Sequence, residues 1–180
     1  MRKITRLCQD EAKIHALLSK APTGFLGLST ENTPYVVPLN FVWHNACIYF
    51  HGASEGRKIE MIRENDNATF VVCESYGTIA DPVPAKTDTA YLSVMLFGKV
   101  GIVEDLTEAT AAMQELLNKY VPGYYDTPLA SSHVEKYRSS MGSKTAVFKL
   151  VPAQISAKES PLVEEMAFYP GRKASMDVKE

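Results

Sequence analysis

Residues 35–43 read YVVPLNFVW and residues 46–51 read ACIYFH. Both runs are rich in β-branched and aromatic residues, which favour strands, and His44 and Asn45 lie between them. The sequence therefore predicts an antiparallel hairpin with a tight turn. Pro38 cannot donate a backbone hydrogen bond, so its strand is predicted to lie at an edge, at a bulge, or where a ligand replaces the partner strand.

On both sides of this hairpin the chain alternates between strand-like and helix-like segments. Further strands are predicted at residues 24–30, 67–74, 91–103 and 144–151. Helical spacing of apolar residues predicts helices at residues 10–20, 56–64, 105–120 and 131–140. Residues 77–89 and 121–126 are predicted to be loops, and the polar tail after Pro161 is left unassigned.

The order of these elements indicates the fold class. About six strands, several in hairpin order and with helices inserted late, predict an α+β fold built on an antiparallel barrel. A Rossmann fold is excluded, because no GxGxxG motif follows a predicted strand. The length of 180 residues suits one domain.

Composition limits the class of molecule that the protein can bind and the cellular compartment in which it is expected. With 19 basic and 21 acidic residues the net charge is -2, which argues against a nucleic-acid binder and favours a small molecule or another protein as partner. The three cysteines (Cys8, Cys47 and Cys73) form no CxxC pair, so we expect reduced, buried thiols and no metal site. Charged residues near the N-terminus interrupt any signal-peptide core, and no run of about 18 apolar residues occurs, so we predict a cytoplasmic protein without membrane contact.

Residues 52–58, GASEGRK, carry the chemistry of a candidate anion site. They follow a predicted strand and open a predicted helix, whose first backbone N–H groups are unpaired and carry partial positive charge. Glycines allow close approach, Ser54 can donate a hydroxyl, and Arg57 and Lys58 can bind a phosphate. On composition alone, a solvated helix start with two ordinary surface cations is the favoured interpretation, because adjacent basic residues are common on protein surfaces.

Several motifs in this order resemble a known family. They are YVVPLNF at residues 35–41, IYFHGA at 48–53, GRK at 56–58 and YLSV at 91–94, followed by Phe97 and Gly98. Together they resemble the pyridoxamine 5′-phosphate oxidase-like superfamily of FMN-binding split barrels, and within it the 5-nitroimidazole-resistance (Nim) branch. The resemblance covers roughly residues 10–150.

The resemblance implies an α+β antiparallel split β-barrel that forms a homodimer, with FMN in the clefts between subunits. The barrel domain would span residues 1–160, followed by a tail at residues 161–180. Residues 36–40 would line the flavin ring, Arg57 and Lys58 would hold the phosphate, and Ser93 and its neighbours would close the site. The full set of predicted cofactor-binding residues is Val36, Val37, Pro38, Leu39, Asn40, His51, Gly52, Ala53, Gly56, Arg57, Lys58, Ser93 and Val94.

His51 matches a histidine of the Nim branch, so the resemblance makes it a candidate catalytic proton donor. It could equally be a strand-end histidine bonded to a carbonyl. The implied function is an FMN-dependent reductase of small electrophiles such as nitroimidazoles or nitroaromatics. Vitamin B6 oxidation is not expected, because the basic residues that bind its phosphate have no clear counterpart here.

Other functions stay open at this stage. Related split barrels bind haem, so a non-catalytic haem- or flavin-binding protein with His51 as axial ligand is an alternative. A deazaflavin F420 enzyme on the same barrel is another. Tyr124 and Tyr125 could cover a pocket or a partner subunit, although simple aromatic packing is the simpler reading.

Overall fold

Eight strands form one antiparallel sheet in the computed structural model, which describes residues 4–31, 33–138, 142 and 144–178. The strands are β1 (Leu7–Cys8), β2 (Gly24–Thr30), β3 (Thr33–Leu39), β4 (Val42–His44), β5 (Cys47–Ala53), β6 (Asn67–Ile79), β7 (Asp88–Ile102) and β8 (Thr145–Ser160). The α-helices are α1 (Glu11–Lys20), α2 (Arg57–Glu64), α3 (Leu106–Tyr120) and α4 (Ser131–Lys136). The predicted α+β antiparallel architecture is confirmed, with two more strands than expected.

The connection between β3 and β4 closes the sheet on itself. The strand order is β3-β2-β6-β7-β8-β5-β4, with β1 paired to β8. The two ends of this order are consecutive in the chain, because β3 ends at Leu39 and β4 begins at Val42. Three residue steps span at most about 10 Å, so the two edges of the sheet must lie close together. The result is a barrel that is split between β3 and β4.

The predicted hairpin of residues 35–43 with residues 46–51 is only half right. β3 pairs with β2, from Gly24 opposite Leu39 to Thr30 opposite Thr33, whereas Val42–His44 pairs with β5. The uniform β-favouring composition concealed a change of partner at Asn40 and Phe41. Pro38 does lie on an edge strand, as expected, since β3 ends the strand order.

The turn between β4 and β5 also differs by one residue from the prediction. Its central residues are Asn45 and Ala46, with φ of 48° and 57°. Positive φ at both central residues is the geometry that lets a two-residue turn follow the twist of its strands. Alanine is an unusual choice there, which is why the sequence did not indicate the turn's position.

Three strands extend beyond their predicted ends. β6 continues to Ile79, β7 begins at Asp88, and β8 continues to Ser160 instead of ending at residue 151. These extensions are polar, so they carry little apolar alternation, and pairing with neighbouring strands makes them regular. Helix α4 ends at Lys136, and residues 139 and 140 of the predicted helix lie outside the described residues.

The core has two parts. The barrel interior is filled by fully buried side chains from several strands and from the β3–β4 connection, including Leu26, Phe41, Phe50, Phe70 and Phe148. A smaller cluster packs α3 against β4, β5 and β8. Cys8 and Cys47 are buried free thiols, as expected, but Cys73 is exposed.

The tail after β8 packs along the end of β6. Phe168 N donates to Thr78 O at 2.8 Å, and Ala80 N donates to Met166 O at 2.8 Å. The Arg172 guanidinium binds the carboxylate of Asp177 and the carbonyl oxygen of Ala167. In the described part of the chain, none of the helices has the length and hydropathy needed to cross a membrane.

The end of α3 holds the β3–β4 connection in place. The Tyr120 hydroxyl accepts a hydrogen bond from Phe41 N at 2.9 Å and donates one to Pro22 O at 2.7 Å. Lys119 Nζ donates to Phe41 O at 3.0 Å and lies 3.9 Å from the centroid of the Phe41 ring. Burial lowers the pKa of Lys119 to about 8. Both backbone polar groups of Phe41 are thus satisfied by side chains of α3.

Replacing Tyr120 tests this connection. Tyr120→Phe leaves the Phe41 N–H without its partner, and we expect a loss of about 1–3 kcal/mol in the free energy of unfolding. Urea titration followed by Trp43 fluorescence measures it, with Tyr124→Phe at an exposed tyrosine as the control. A loss no larger than that of the control would show that the connection does not depend on this hydroxyl.

Candidate functional site

The segment between β5 and α2 presents a helix N-terminus without a side-chain cap. Ser54 N donates to Lys144 O at 3.0 Å, which holds the chain beside β8. Gly56 has φ 94° and ψ 177° and accepts backbone hydrogen bonds from Ile59 and Glu60, yet no side chain among the described residues caps the helix start. This conformation suits glycine. The first backbone N–H groups of α2 therefore remain available to an anion.

Arg57 and Lys58 occupy different environments on the first turn of α2. The helix is anchored by buried Ile59, Met61 and Ile62. Arg57 is exposed, and its guanidinium carbon lies 5.4 Å from the centroid of the Tyr35 ring. Lys58 turns inward. The prediction that these cations mark a ligand site thus concerns one exposed and one partly buried charge.

The Lys58 ammonium lies over Gly52, beside the stacked rings of Phe50 and Phe148. Its Nζ is 5.4 Å from the centroid of the Phe50 ring and 5.0 Å from that of Phe148. A Cβ atom at Gly52 would stand 2.5 Å from Nζ, so a side chain there would displace the ammonium. Burial lowers the pKa of Lys58. Glycine at position 52 is therefore what makes room for this cation.

His51 directly precedes Gly52 and lies at the edge of the site around Lys58. Its ring centroid is 6.4 Å from that of Tyr137, in an edge-to-face arrangement. The side chain reaches solvent, but surrounding groups desolvate it enough to lower its pKa, and the positive charge of Lys58 lowers that pKa further. At neutral pH the imidazole is accordingly held in its uncharged form, with one N–H donor and one acceptor nitrogen.

The predicted ring-lining residues alternate between the two faces of β3. Val37 and Leu39 face the barrel interior and pack against the core. Val36, Pro38 and Asn40 are exposed. Tyr35 packs on the core beneath Arg57, so it joins this strand to the start of α2.

Ser93 and Val94 lie away from the rest of the predicted set. On β8, the residue paired with His51 is Val147, whereas the residue paired with Ser93 is Lys158. Eleven residues separate these two positions along the strand (158 minus 147), which corresponds to about 35 Å of extended chain. Val94 is fully buried in the core, so its side chain offers no contact to a ligand. One chain alone does not bring these two residues to Arg57 and Lys58.

Two tyrosines of the site were missed by the sequence analysis. Tyr35 stands one residue before the predicted ring-lining run, and its inward position could have been found from strand alternation. Tyr137 comes from a segment 86 residues further along the chain than His51, and no local pattern indicates that contact (137 minus 51). Elsewhere, the Trp43 indole donates a hydrogen bond to His15 Nε2 at 3.0 Å. Within the described residues, no His, Cys, Asp and Glu side chains cluster as a metal site.

Comparison with known proteins identifies the family. Residues 10–159 match the family described as pyridoxamine 5′-phosphate oxidase. The chain belongs to this family. No curated protein matches it.

Solved structures place it within the split-barrel superfamily, near the Nim proteins. A candidate 5-nitroimidazole antibiotic resistance protein from Bacteroides thetaiotaomicron is 27% identical, with a TM-score of 0.67 over 84% of this chain and 85% of that one. The flavocytochrome Anf3 from Azotobacter vinelandii is 23% identical, with a TM-score of 0.74 over 92% and 75% of the two chains. The FAD and haem binding protein from Mycobacterium smegmatis is 16% identical, with a TM-score of 0.66 over 89% and 77%. The last two similarities support the fold alone.

A titration experiment tests whether the charge of Lys58 lowers the pKa of His51. We expect His51 to titrate below its ordinary value of 6.5, and Lys58→Met to raise its pKa without restoring it fully, because burial is the larger cause. Proton NMR of the imidazole measures both, with Arg63→Met on the last turn of α2 as control. Since folding lowers this pKa, the same group should make the protein less stable as pH falls through about 6.5. An unchanged His51 pKa in Lys58→Met would show that the two groups do not interact.

Proposed function

We propose that the protein is a flavin-dependent reductase that holds the phosphate of FMN at the start of α2. The observation that carries the proposal is the inward Lys58 ammonium over Gly52, next to an uncapped helix N-terminus and the exposed Arg57. Membership of the pyridoxamine 5′-phosphate oxidase family supports it.

The charges at this site fit a phosphate monoester. In the described part of the chain, no carboxylate forms an ion pair with Arg57 or Lys58. A partly buried ammonium without a counter-ion is unfavourable, which is the physical reason for the lowered pKa of Lys58. A phosphate beside it would remove that penalty, and the free N–H groups and Arg57 would supply further hydrogen bonds.

His51 is proposed to serve the acceptor side of the reaction. The flavin, when bound, supplies the electrons as a hydride. The uncharged imidazole can donate an N–H hydrogen bond to an oxygen atom of the substrate. Because the side chain is exposed, its other ring nitrogen can take up a proton from solvent, and the resulting imidazolium can deliver that proton to the reduced oxygen. A small electrophile such as a nitroimidazole or nitroaromatic compound is the proposed substrate, in keeping with the similarity to the Bacteroides protein.

A second copy of the chain is proposed to complete the site. Val36 of β3 is 65% exposed on the outer face of the sheet, and Phe25 of β2 and Met95 and Phe97 of β7 are exposed on the same sheet. Exposed apolar side chains on three strands of one sheet are characteristic of a protein interface. A homodimer would cover it, and the partner could bring its own Ser93 towards the start of α2. Sedimentation equilibrium should then give twice the chain mass of 19.9 kDa, and Phe25→Asp should give the monomer mass.

Comparing FMN with riboflavin tests the phosphate site, because the two ligands differ only by the phosphate. We expect Arg57→Ala to weaken FMN binding about 10- to 100-fold, the range for a charge-assisted hydrogen bond, and to leave riboflavin binding unchanged. Flavin fluorescence titration measures both affinities, with Arg63→Ala as the matched control on the same helix. Equal losses for the two flavins would remove Arg57 from the phosphate site.

The reductase activity is tested by following the reduced protein. FMN-loaded protein, reduced with dithionite under anaerobic conditions, is mixed with 2-methyl-5-nitroimidazole, and flavin reoxidation is followed by absorbance. We expect reoxidation faster than that of free reduced FMN at the same concentration, and a slower rate in His51→Ala with unchanged FMN affinity. A rate no faster than that of free FMN would refute the proposal. A Soret band in the purified protein would instead favour the alternative of a haem-binding protein with His51 as ligand.

A further inference from the structure

A second concave site lies beside His51, outside the proposed phosphate site. It is a cavity of about 360 Å³ between α3, residues 125–129 and α4. Met113 and Leu117 of α3 form one wall, and Val134 of α4 forms the opposite wall. The volume falls within the range of small-molecule sites. It is too small for a helix or a strand of another protein.

The cavity is lined by aromatic and apolar groups without formal negative or permanent positive charge. Tyr125 and Tyr137 contribute rings, and none of the described residues that line the cavity is Asp, Glu, Lys or Arg. Burying a charged ligand against such walls is costly, whereas a flat uncharged ring can stack on tyrosine. Thr127 and His133, which also line the cavity, supply hydrogen-bonding groups for a polar substituent.

The walls are held by hydrogen bonds that fix the loop to its surroundings. Leu129 N donates to the Gln114 side-chain oxygen at 2.7 Å, which ties residues 125–129 to α3. Thr145 N donates to Tyr137 O at 3.1 Å, which ties the end of α4 to the start of β8. The Tyr137 ring that lines the cavity is also the ring that meets His51 edge to face. The cavity and the candidate catalytic surface therefore share one wall.

We propose that this cavity binds a small, uncharged aromatic molecule bearing a hydrogen-bonding substituent, held next to His51 by Tyr137. The site goes beyond the proposed flavin chemistry, because none of its lining residues belongs to the predicted cofactor set. An aromatic occupant would contact the face of Tyr137 or its edge, and would meet the apolar side chains of α3 and Val134 on its other sides.

The test uses 2-naphthamide and 2-naphthoate, which share a ring system and differ in charge. With the full-length protein, we expect 2-naphthamide to shift the methyl NMR signals of Met113 and Leu117 with a Kd on the order of 0.1 mM. 2-Naphthoate should bind at least about tenfold more weakly because its carboxylate would be desolvated. Val134→Phe fills the cavity and should weaken 2-naphthamide binding at least about tenfold, with FMN affinity unchanged. Glu135→Phe, on the same helix but outside the lining, is the control.

The outcomes separate this site from the flavin proposal. Absence of methyl shifts, equal binding of the two probes, or undiminished binding in a folded Val134→Phe protein would overturn the inference. If Val134→Phe does not fold, the methyl shifts and the probe comparison in the unmodified protein decide alone. Retained 2-naphthamide binding in Arg57→Ala would support the cavity whether or not FMN binds, so failure at one site leaves the other to be judged separately.

Discussion

The backbone of Phe41 is the point on which the barrel depends. At this residue the chain leaves one edge of the sheet and enters the other, so its N–H and carbonyl cannot join a regular ladder on either side. Buried backbone groups need partners, and α3 supplies them through the Tyr120 hydroxyl and the Lys119 ammonium. With that crossing fixed, β3 stands beside the start of α2, and Tyr35 and Arg57 can meet.

The candidate site differs from Phe41 in how its polar groups are paired. At Phe41 the protein satisfies its own polar groups, whereas at the start of α2 it leaves backbone donors and the Lys58 ammonium unpaired within the described residues. The depressed pKa of Lys58 records the cost of that arrangement. An anion bound at the start of α2 would pair with these donors and stabilise the site. This is the physical basis of the proposed FMN phosphate site.

Local strand and helix character could be predicted from the sequence, but which strands pair with each other could not. The strand character of residues 35–43 was evident, but whether they pair with β2 or with β5 depends on contacts distant in the chain, so the break at Phe41 was missed. The anion motif at residues 56–58 was evident because all its parts are adjacent. Tyr137 beside His51 was beyond reach, since α4 is placed by tertiary packing. Ser93 and Val94 were grouped with Arg57 by resemblance, and only the strand register shows how far along β8 they lie.

Strands β7 and β8 are neighbours in the sheet, yet α3, residues 121–130 and α4 lie between them in the chain. Helix α3 is hydrogen-bonded to the β3–β4 connection through Tyr120. Residues 125–137 supply most of the lining of the 360 Å³ cavity. Helix α3 thus serves both the barrel and one wall of the cavity, whereas the rest of the cavity lining comes from residues that follow it. Exchanging residues 125–137 for those of a related protein could therefore change which ligand the cavity binds. The strand register and the cationic start of α2 would stay as they are.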